Sequence, residues 1–219
     1  MNRARYEKAA LKACRDSGAL VHFIHQKMPQ PWGVDWNTDK KSTIPRWLVR
    51  VFGEEFFHQI GAVAFIGSTV GNSELKVLSE LKALEDLSLQ GQSHVADADL
   101  YHVAKISSLE NLCLWGTSIS DTGLTHLNEL KALKGLGLSR TRVTDNGLLA
   151  LVKFRHLTLL ELDGTDVTDR GLIHLYDMKS LSSLNLHDTA VTRKGIEGLK
   201  KALPNCDIGV EREKSEPTP

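Results

Sequence analysis

Three polar side chains that could do chemistry fall close together in the second half of the sequence. Glu161 and Asp163 are two positions apart, so on a strand they would share one face. His187 follows Asp163 by 24 residues, which is one period of the repeat described below. A carboxylate beside an imidazole could transfer protons or hold a metal ion weakly. Because no activated nucleophile and no glycine-rich phosphate loop accompany them, a hydrolase or metal site here is only a distant alternative.

A second group of residues is better suited to contact a protein. Trp115 and Arg140 are of the types enriched at binding hot spots. Gly135 and Gly137 would leave room for the indole to lie flat, or for a side chain of a partner to enter. The alternative is a solvated sheet on which Trp115 rests against its neighbour. We predict a protein-binding patch of five residues: Trp115, Arg140, Glu161, Asp163 and His187.

A repeat of 24 residues positions all of these side chains. Its four clear copies start at Leu109, Leu133, Leu157 and Leu181, and read Leu-x-x-Leu-x-Leu-x-x-Thr-x-Val-Thr-Asp-x-Gly-Leu-x-x-Leu with few changes. The alternating leucines predict a short strand with one apolar face, and Gly-Leu-x-x-Leu predicts a helix that covers that face. Since one repeat cannot bury its own apolar face, neighbouring copies must stack.

The polar columns of the repeat have predicted structural roles. The first threonine, at 117, 141, 165 and 189, is expected to satisfy buried amides of the loop. The next hydroxyl residue is placed as a helix N-cap: Ser120, Thr144, Thr168 and Thr192. An acidic column follows in the first helical turn, where the helix dipole favours it without any bound cation: Asp97, Asp121, Asp145 and Asp169.

This pattern resembles the leucine-rich repeat family, in the Val-Thr-Asp-x-Gly-Leu subclass of ribonuclease-inhibitor-like, F-box-associated and short bacterial proteins. The resemblance implies an α/β fold: a right-handed β-α solenoid, or horseshoe segment, with a parallel concave sheet and an N-terminal αβα cap. It also implies non-catalytic protein binding on the concave face, because family members with a catalytic activity hold it in an appended domain. No F-box-like region precedes the repeats, so an adaptor function in ubiquitin ligases is not implied.

The N-terminal layout offers an alternative function. A basic helix, Gly18, an extended run and then repeats are similar in order to the small mitochondrial ATP-synthase coupling factor, factor B. That likeness implies an accessory or coupling subunit of a larger enzyme assembly, which would also act by docking.

Three segments are predicted from these patterns. Residues 1–59 form an N-terminal cap with a helix, a strand, a long loop and an amphipathic helix; residues 60–208 form about six repeats; and residues 209–219 form a disordered tail. Trp32 and Trp36 lie in the long loop and make it a possible contact loop, although they could also tuck against the cap.

Composition limits the remaining choices. The 219 residues include 27 basic and 27 acidic side chains, a balance that argues against a general nucleic-acid binder. Three widely spaced cysteines make no disulfide framework or metal motif, and no apolar run suits a signal peptide or a membrane span. We therefore predict a cytoplasmic, monomeric protein without cofactor or metal, which is not an enzyme and binds a protein partner.

Overall fold

The structure is a computed structural model that describes residues 20–23, 60–65, 69–79, 81 and 83–210. The two helices of the predicted cap, apart from Ile60, lie outside these residues. So do the loop with Trp32 and Trp36 and the tail from residue 211 onward.

Eight described strands form one sheet whose order is that of the sequence. Strands β2 to β8 are parallel, and β1 pairs antiparallel with β2. This arrangement confirms the α/β solenoid predicted from the repeat. The strands are β1 (Leu20–Phe23), β2 (Ile60–Ala64), β3 (Asp86–Ser88), β4 (Asn111–Cys113), β5 (Gly135–Gly137), β6 (Leu159–Glu161), β7 (Ser183–Asn185) and β8 (Asp207–Gly209).

Short helices connect the parallel strands. They are α1 (Asn72–Leu78), α2 (Leu100–Val103), α3 (Asp121–His126), α4 (Asp145–Leu151), α5 (Asp169–Leu172) and α6 (Arg193–Ala202), with 3-10 turns at Asp97–Asp99, Leu127–Glu129 and Ile173–Leu175. The predicted N-caps are confirmed, because the hydroxyls of Ser120, Thr144, Thr168 and Thr192 each accept a hydrogen bond from an amide of the first turn. No described helix is long and apolar enough to cross a membrane.

The leucines of the repeat form one continuous apolar core between the sheet and the helices. Strand register places the central leucines of β3 to β7 side by side, and all are buried: Leu87, Leu112, Leu136, Leu160 and Leu184. Each strand therefore buries its leucine against the copy before it and the copy after it, so the stack is stabilised as a unit.

The first threonine of each repeat acts as a donor, which differs from the role predicted for it. The hydroxyl of Thr141 donates to the carbonyl of Leu138 at 2.6 Å, and Thr117, Thr165 and Thr189 make the same bond in their own repeats. The loop amides need no hydroxyl, since backbone carbonyls already accept from them. The amide of Gly116, for example, donates to the carbonyl of Ser139 in the next repeat.

The acidic column links each repeat to the next. The carboxylate of Asp121 accepts from the amide of Thr144 at 2.8 Å and from its hydroxyl at 2.7 Å. Asp97, Asp145 and Asp169 make the same pair of bonds to Ser120, Thr168 and Thr192. The sequence pattern predicts a role for each Asp only on its own helix. Each of these carboxylates in fact also holds the N-cap residue of the following helix.

This link explains the glycine of the repeat. A Cβ on Gly147 would lie 2.4 Å from Oδ1 of Asp121, too close for any side chain. The first repeat lacks this aspartate, because Asn72 occupies its position. One repeat later the position of the glycine is occupied by Asp99. The carboxylate of Asp99 accepts from the amide of Ala96 at 2.9 Å, the amide that an aspartate at position 72 would otherwise hold.

Candidate functional site

The side of the sheet away from the core leucines corresponds to the predicted concave face and keeps that name below. It presents three rows of side chains. Strand register defines the first two rows: Asp86, Asn111, Gly135, Leu159, Ser183 and Asp207, then Ser88, Cys113, Gly137, Glu161, Asn185 and Gly209. Backbone bonds just beyond the strands extend a third row through Trp115, Ser139, Asp163 and His187. Four of these positions are carboxylates and none is Lys or Arg. Arg140 and Asp188, at the turns just beyond the third row, add one charge of each sign, so the face has a net negative charge.

Three of the five residues of the predicted patch meet at the centre of this face. The guanidinium carbon of Arg140 lies 5.8 Å from the centroid of the Trp115 ring, and Nε of Arg140 lies 4.0 Å from Oδ2 of Asp163. The Arg140 side chain is 65% exposed and that of Asp163 19%. Because the pair is long and open to water, it adds little to stability. We call Trp115, Arg140 and Asp163 the central cluster.

Glu161 extends the central cluster over the neighbouring strand. Its Oε2 lies 3.3 Å from the point that a Cβ on Gly137 would occupy, and Cys113 Sγ lies 3.5 Å from the same point. Gly137 therefore allows the carboxylate to lean across β5. Burial raises the pKa of Glu161, and the negative charge of Asp163 raises it further. Burial also raises the pKa of the Cys113 thiol to about 11, so this cysteine is a poor nucleophile at neutral pH.

His187 lies one strand beyond the central cluster. Its backbone amide donates to Oδ1 of Asn185 at 3.0 Å, and its ring lies near Gly209. Within the described residues, no hydrogen bond or ion pair joins His187 to Asp163, and no three His, Cys, Asp or Glu side chains are grouped to hold a metal ion. The described structure therefore gives no support to a proton-transfer pair or metal site at Glu161, Asp163 and His187.

The backbone of Arg140 has an unusual conformation. At the turn after β3, β4 and β6, Gly91, Gly116 and Gly164 have positive φ angles between 64° and 74°. Arg140 and Asp188 hold the same position after β5 and β7, at φ 54° and 51°. Aspartate adopts this conformation more readily than most residues, since its short side chain can form local hydrogen bonds, so the arginine is the unusual one. A side chain in this conformation costs about 1–2 kcal/mol. The residue type alone predicts Arg140 as a contact and does not predict this conformation, although aligning the repeats places Arg140 in a column between Gly116 and Gly164.

This strain leads to a stability prediction. Arg140→Gly is expected to leave the free energy of unfolding unchanged or to raise it by up to about 1 kcal/mol, because the relief of strain offsets the added freedom of glycine in the unfolded chain. Arg142→Gly is the matched control, since Arg142 is exposed and lacks a positive φ; it should cost about 1 kcal/mol. Urea denaturation followed by circular dichroism measures both. Equal losses would show that Arg140 is unstrained.

Comparisons with known proteins indicate the fold. No protein-family model matches the chain, and no curated protein matches it. A solved structure of internalin C2 from Listeria monocytogenes is similar, with a TM-score of 0.53 and 20% sequence identity over 71% of this chain and 75% of that chain. This likeness concerns the fold alone, and together with the seven parallel strands it identifies a leucine-rich-repeat-type solenoid.

Proposed function

We propose that this protein is a non-catalytic protein-interaction module whose partner contacts the concave face at Trp115, Arg140, Glu161 and Asp163, with His187 at the margin. The observation that carries the proposal is the central cluster itself. A partly exposed aromatic ring and an exposed arginine with a positive φ angle lie together there, outside the apolar core. Strain that persists in a stable fold favours a functional role for the residue that bears it.

The surroundings of the cluster suit a binding surface. The strand residues next to the cluster are buried, so the backbone that carries it is well packed: Cys113, Gly137 and Ser139. Trp115 itself remains partly exposed and offers a flat apolar contact with few rotatable bonds. Both features lower the conformational entropy that a partner must remove on binding. The accessory-subunit alternative also acts by docking, and it stays a prediction.

The test of this proposal is the loss of partner capture when Trp115 is replaced. Proteins crosslinked to the wild type in its native extract are identified and quantified by mass spectrometry, then compared with those captured by Trp115→Ala. Capture of a specific partner should fall by at least about 30-fold, because loss of an aromatic hot spot costs about 2 kcal/mol or more.

Tyr101→Ala is the matched control, since Tyr101 is an exposed aromatic residue on α2, on the opposite side of the core. It should capture the same proteins as the wild type. Thermal unfolding of all three proteins checks that each remains folded. If Trp115→Ala captures the same partner at the wild-type level, the concave face is not the binding site.

A further inference from the structure

The concave face carries a charge that the balanced composition of the chain conceals. Its four carboxylates are Asp86, Glu161, Asp163 and Asp207. At the edge where the strands begin, Glu85 and Glu110 add two more, of which Glu110 is paired with Lys134 at 2.7 Å. Burial raises the pKa of Glu85, and the nearby charge of Glu110 raises it further. These acids repel one another, so a cationic group brought to this face would be attracted.

Arg140 shows which chemistry the centre of the face accommodates. Its guanidinium lies near the ring of Trp115, a cation–π arrangement, and reaches toward the carboxylate of Asp163. Neither contact is short and the side chain is mostly exposed, so water or another cation can compete for this place. The protein thus positions its own guanidinium where an aromatic ring and a carboxylate can both interact with it.

Arg140 pairs with Asp163 and does not neutralise the negative charge of Glu161. Among the described residues, no side chain forms an ion pair with its carboxylate and no amide or hydroxyl donates to it, although it is partly buried beside Asp163. A half-buried carboxylate in this state gains most from a new cationic partner. Glu161 and Asp163 lie on one side of β5 and Trp115 on the other. The small residues Gly137 and Ser139 lie between them and leave space above β5.

We infer that the concave face binds a basic peptide segment of a protein partner, and that an Arg or Lys side chain of that segment takes the place over Trp115 and beside Asp163 and Glu161 that Arg140 holds in the free protein. This inference rests on the proposed function and specifies its partner. Arg140 is then an intramolecular competitor: it occupies the acidic centre in the free protein and moves to the edge of the contact when a basic segment binds.

Hexa-arginine amide is a suitable probe, titrated into the full chain by isothermal calorimetry at low ionic strength. The wild type should bind it, and Glu161→Gln/Asp163→Asn should weaken binding at least about 10-fold through loss of two charges. Glu129→Gln/Asp177→Asn is the matched control, because it removes the same two charge types at exposed positions off the concave face. It should change the affinity less than about twofold, as expected for distant screened charges.

Arg140→Gly distinguishes competition by Arg140 at this site from nonspecific attraction of the peptide by negative charge. Removing the competitor should strengthen hexa-arginine binding several-fold, whereas Arg142→Gly, which removes the same charge nearby, should leave it nearly unchanged. Weaker binding by Arg140→Gly, or equal effects of the two glutamine/asparagine double variants, would overturn the inference. Preference for hexa-glutamate, or a dimer of the wild type that Trp115→Ala dissociates, would assign another occupant to the face and overturn it as well.

The two proposals fail in different ways. If Trp115→Ala abolishes partner capture but hexa-arginine does not bind the wild type, the basic-partner inference fails and the interaction proposal stands. If Trp115→Ala captures the partner normally, both fail.

Discussion

Gly147→Ala is expected to destabilise the protein by about 3 kcal/mol in the wild type, and to be neutral or stabilising when Asp121 is also replaced by alanine. In the wild type a Cβ at residue 147 would meet Oδ1 of Asp121 at 2.4 Å. Either the helix shifts or the carboxylate leaves Thr144, whose amide and hydroxyl then lose their acceptor. Overpacking costs about 1–3 kcal/mol, and an unsatisfied partner of a charged group about as much.

The sign should reverse in the Asp121→Ala background. That variant alone should cost about 2–3 kcal/mol, because two bonds to a carboxylate are lost. With the carboxylate gone, the nearest remaining neighbour of the new Cβ is Val143 Cγ1 at 3.0 Å, and Gly147 lies in the first turn of α4. Alanine is favoured over glycine in a helix by about 1 kcal/mol, which offsets that contact.

Urea denaturation of the wild type, both single variants and the double variant measures this coupling. We expect a coupling energy of about 2 kcal/mol or more between residues 121 and 147, within the range found for residues in direct contact. Asp177→Ala is the control, since Asp177 is exposed and makes none of these bonds; its effect should add to that of Gly147→Ala. Equal costs of Gly147→Ala in both backgrounds would show that the carboxylate is not the reason for the glycine.

The two ends of this interaction differ in how far the sequence predicts them. Thr144 is recognisable as an N-cap because its role concerns its own helix, where spacing along the chain fixes geometry. The sequence predicts Asp121 in the correct helical turn but predicts no partner for it in the next repeat. Its bond to Thr144 depends on the separation and rotation of neighbouring repeats, which a period of 24 residues does not determine. For the same reason the sequence alone does not explain why glycine recurs at position 147 and its equivalents.

The candidate site divides in the same way. Register along the repeat placed Trp115, Asp163 and His187 in one row, and the structure brings them to one row. The repeat register does not determine the direction of each side chain. The ring of His187 lies toward Gly209 rather than toward Asp163. Arg140 reaches both of its neighbours because it leaves the backbone at a turn with positive φ. Residue type therefore identified the surface, and backbone conformation decided which side chains meet.

Leu136→Ala should give the second large effect, a loss of about 3–4 kcal/mol, because a fully buried leucine leaves a cavity when it is truncated. Leu136 is the centre of β5, and its side chain is packed between the equivalent leucines of β4 and β6. Leu149→Ala makes the same chemical change on α4, where the leucine is 60% exposed. That variant should cost no more than about 0.5 kcal/mol.

A third truncation tests whether the loss of stability depends on contacts with neighbouring repeats or only on burial within one strand. Ile208 lies in β8, which pairs only with β7 among the described strands, so it has a neighbouring strand on one side only. Ile208→Ala should therefore cost about half as much as Leu136→Ala, because the nearest-neighbour contributions of a repeat stack are summed. Urea midpoints at an unchanged m-value compare the three variants. A cost at Ile208 equal to that at Leu136 would mean that burial within a strand, and not stacking between repeats, holds the concave face in place.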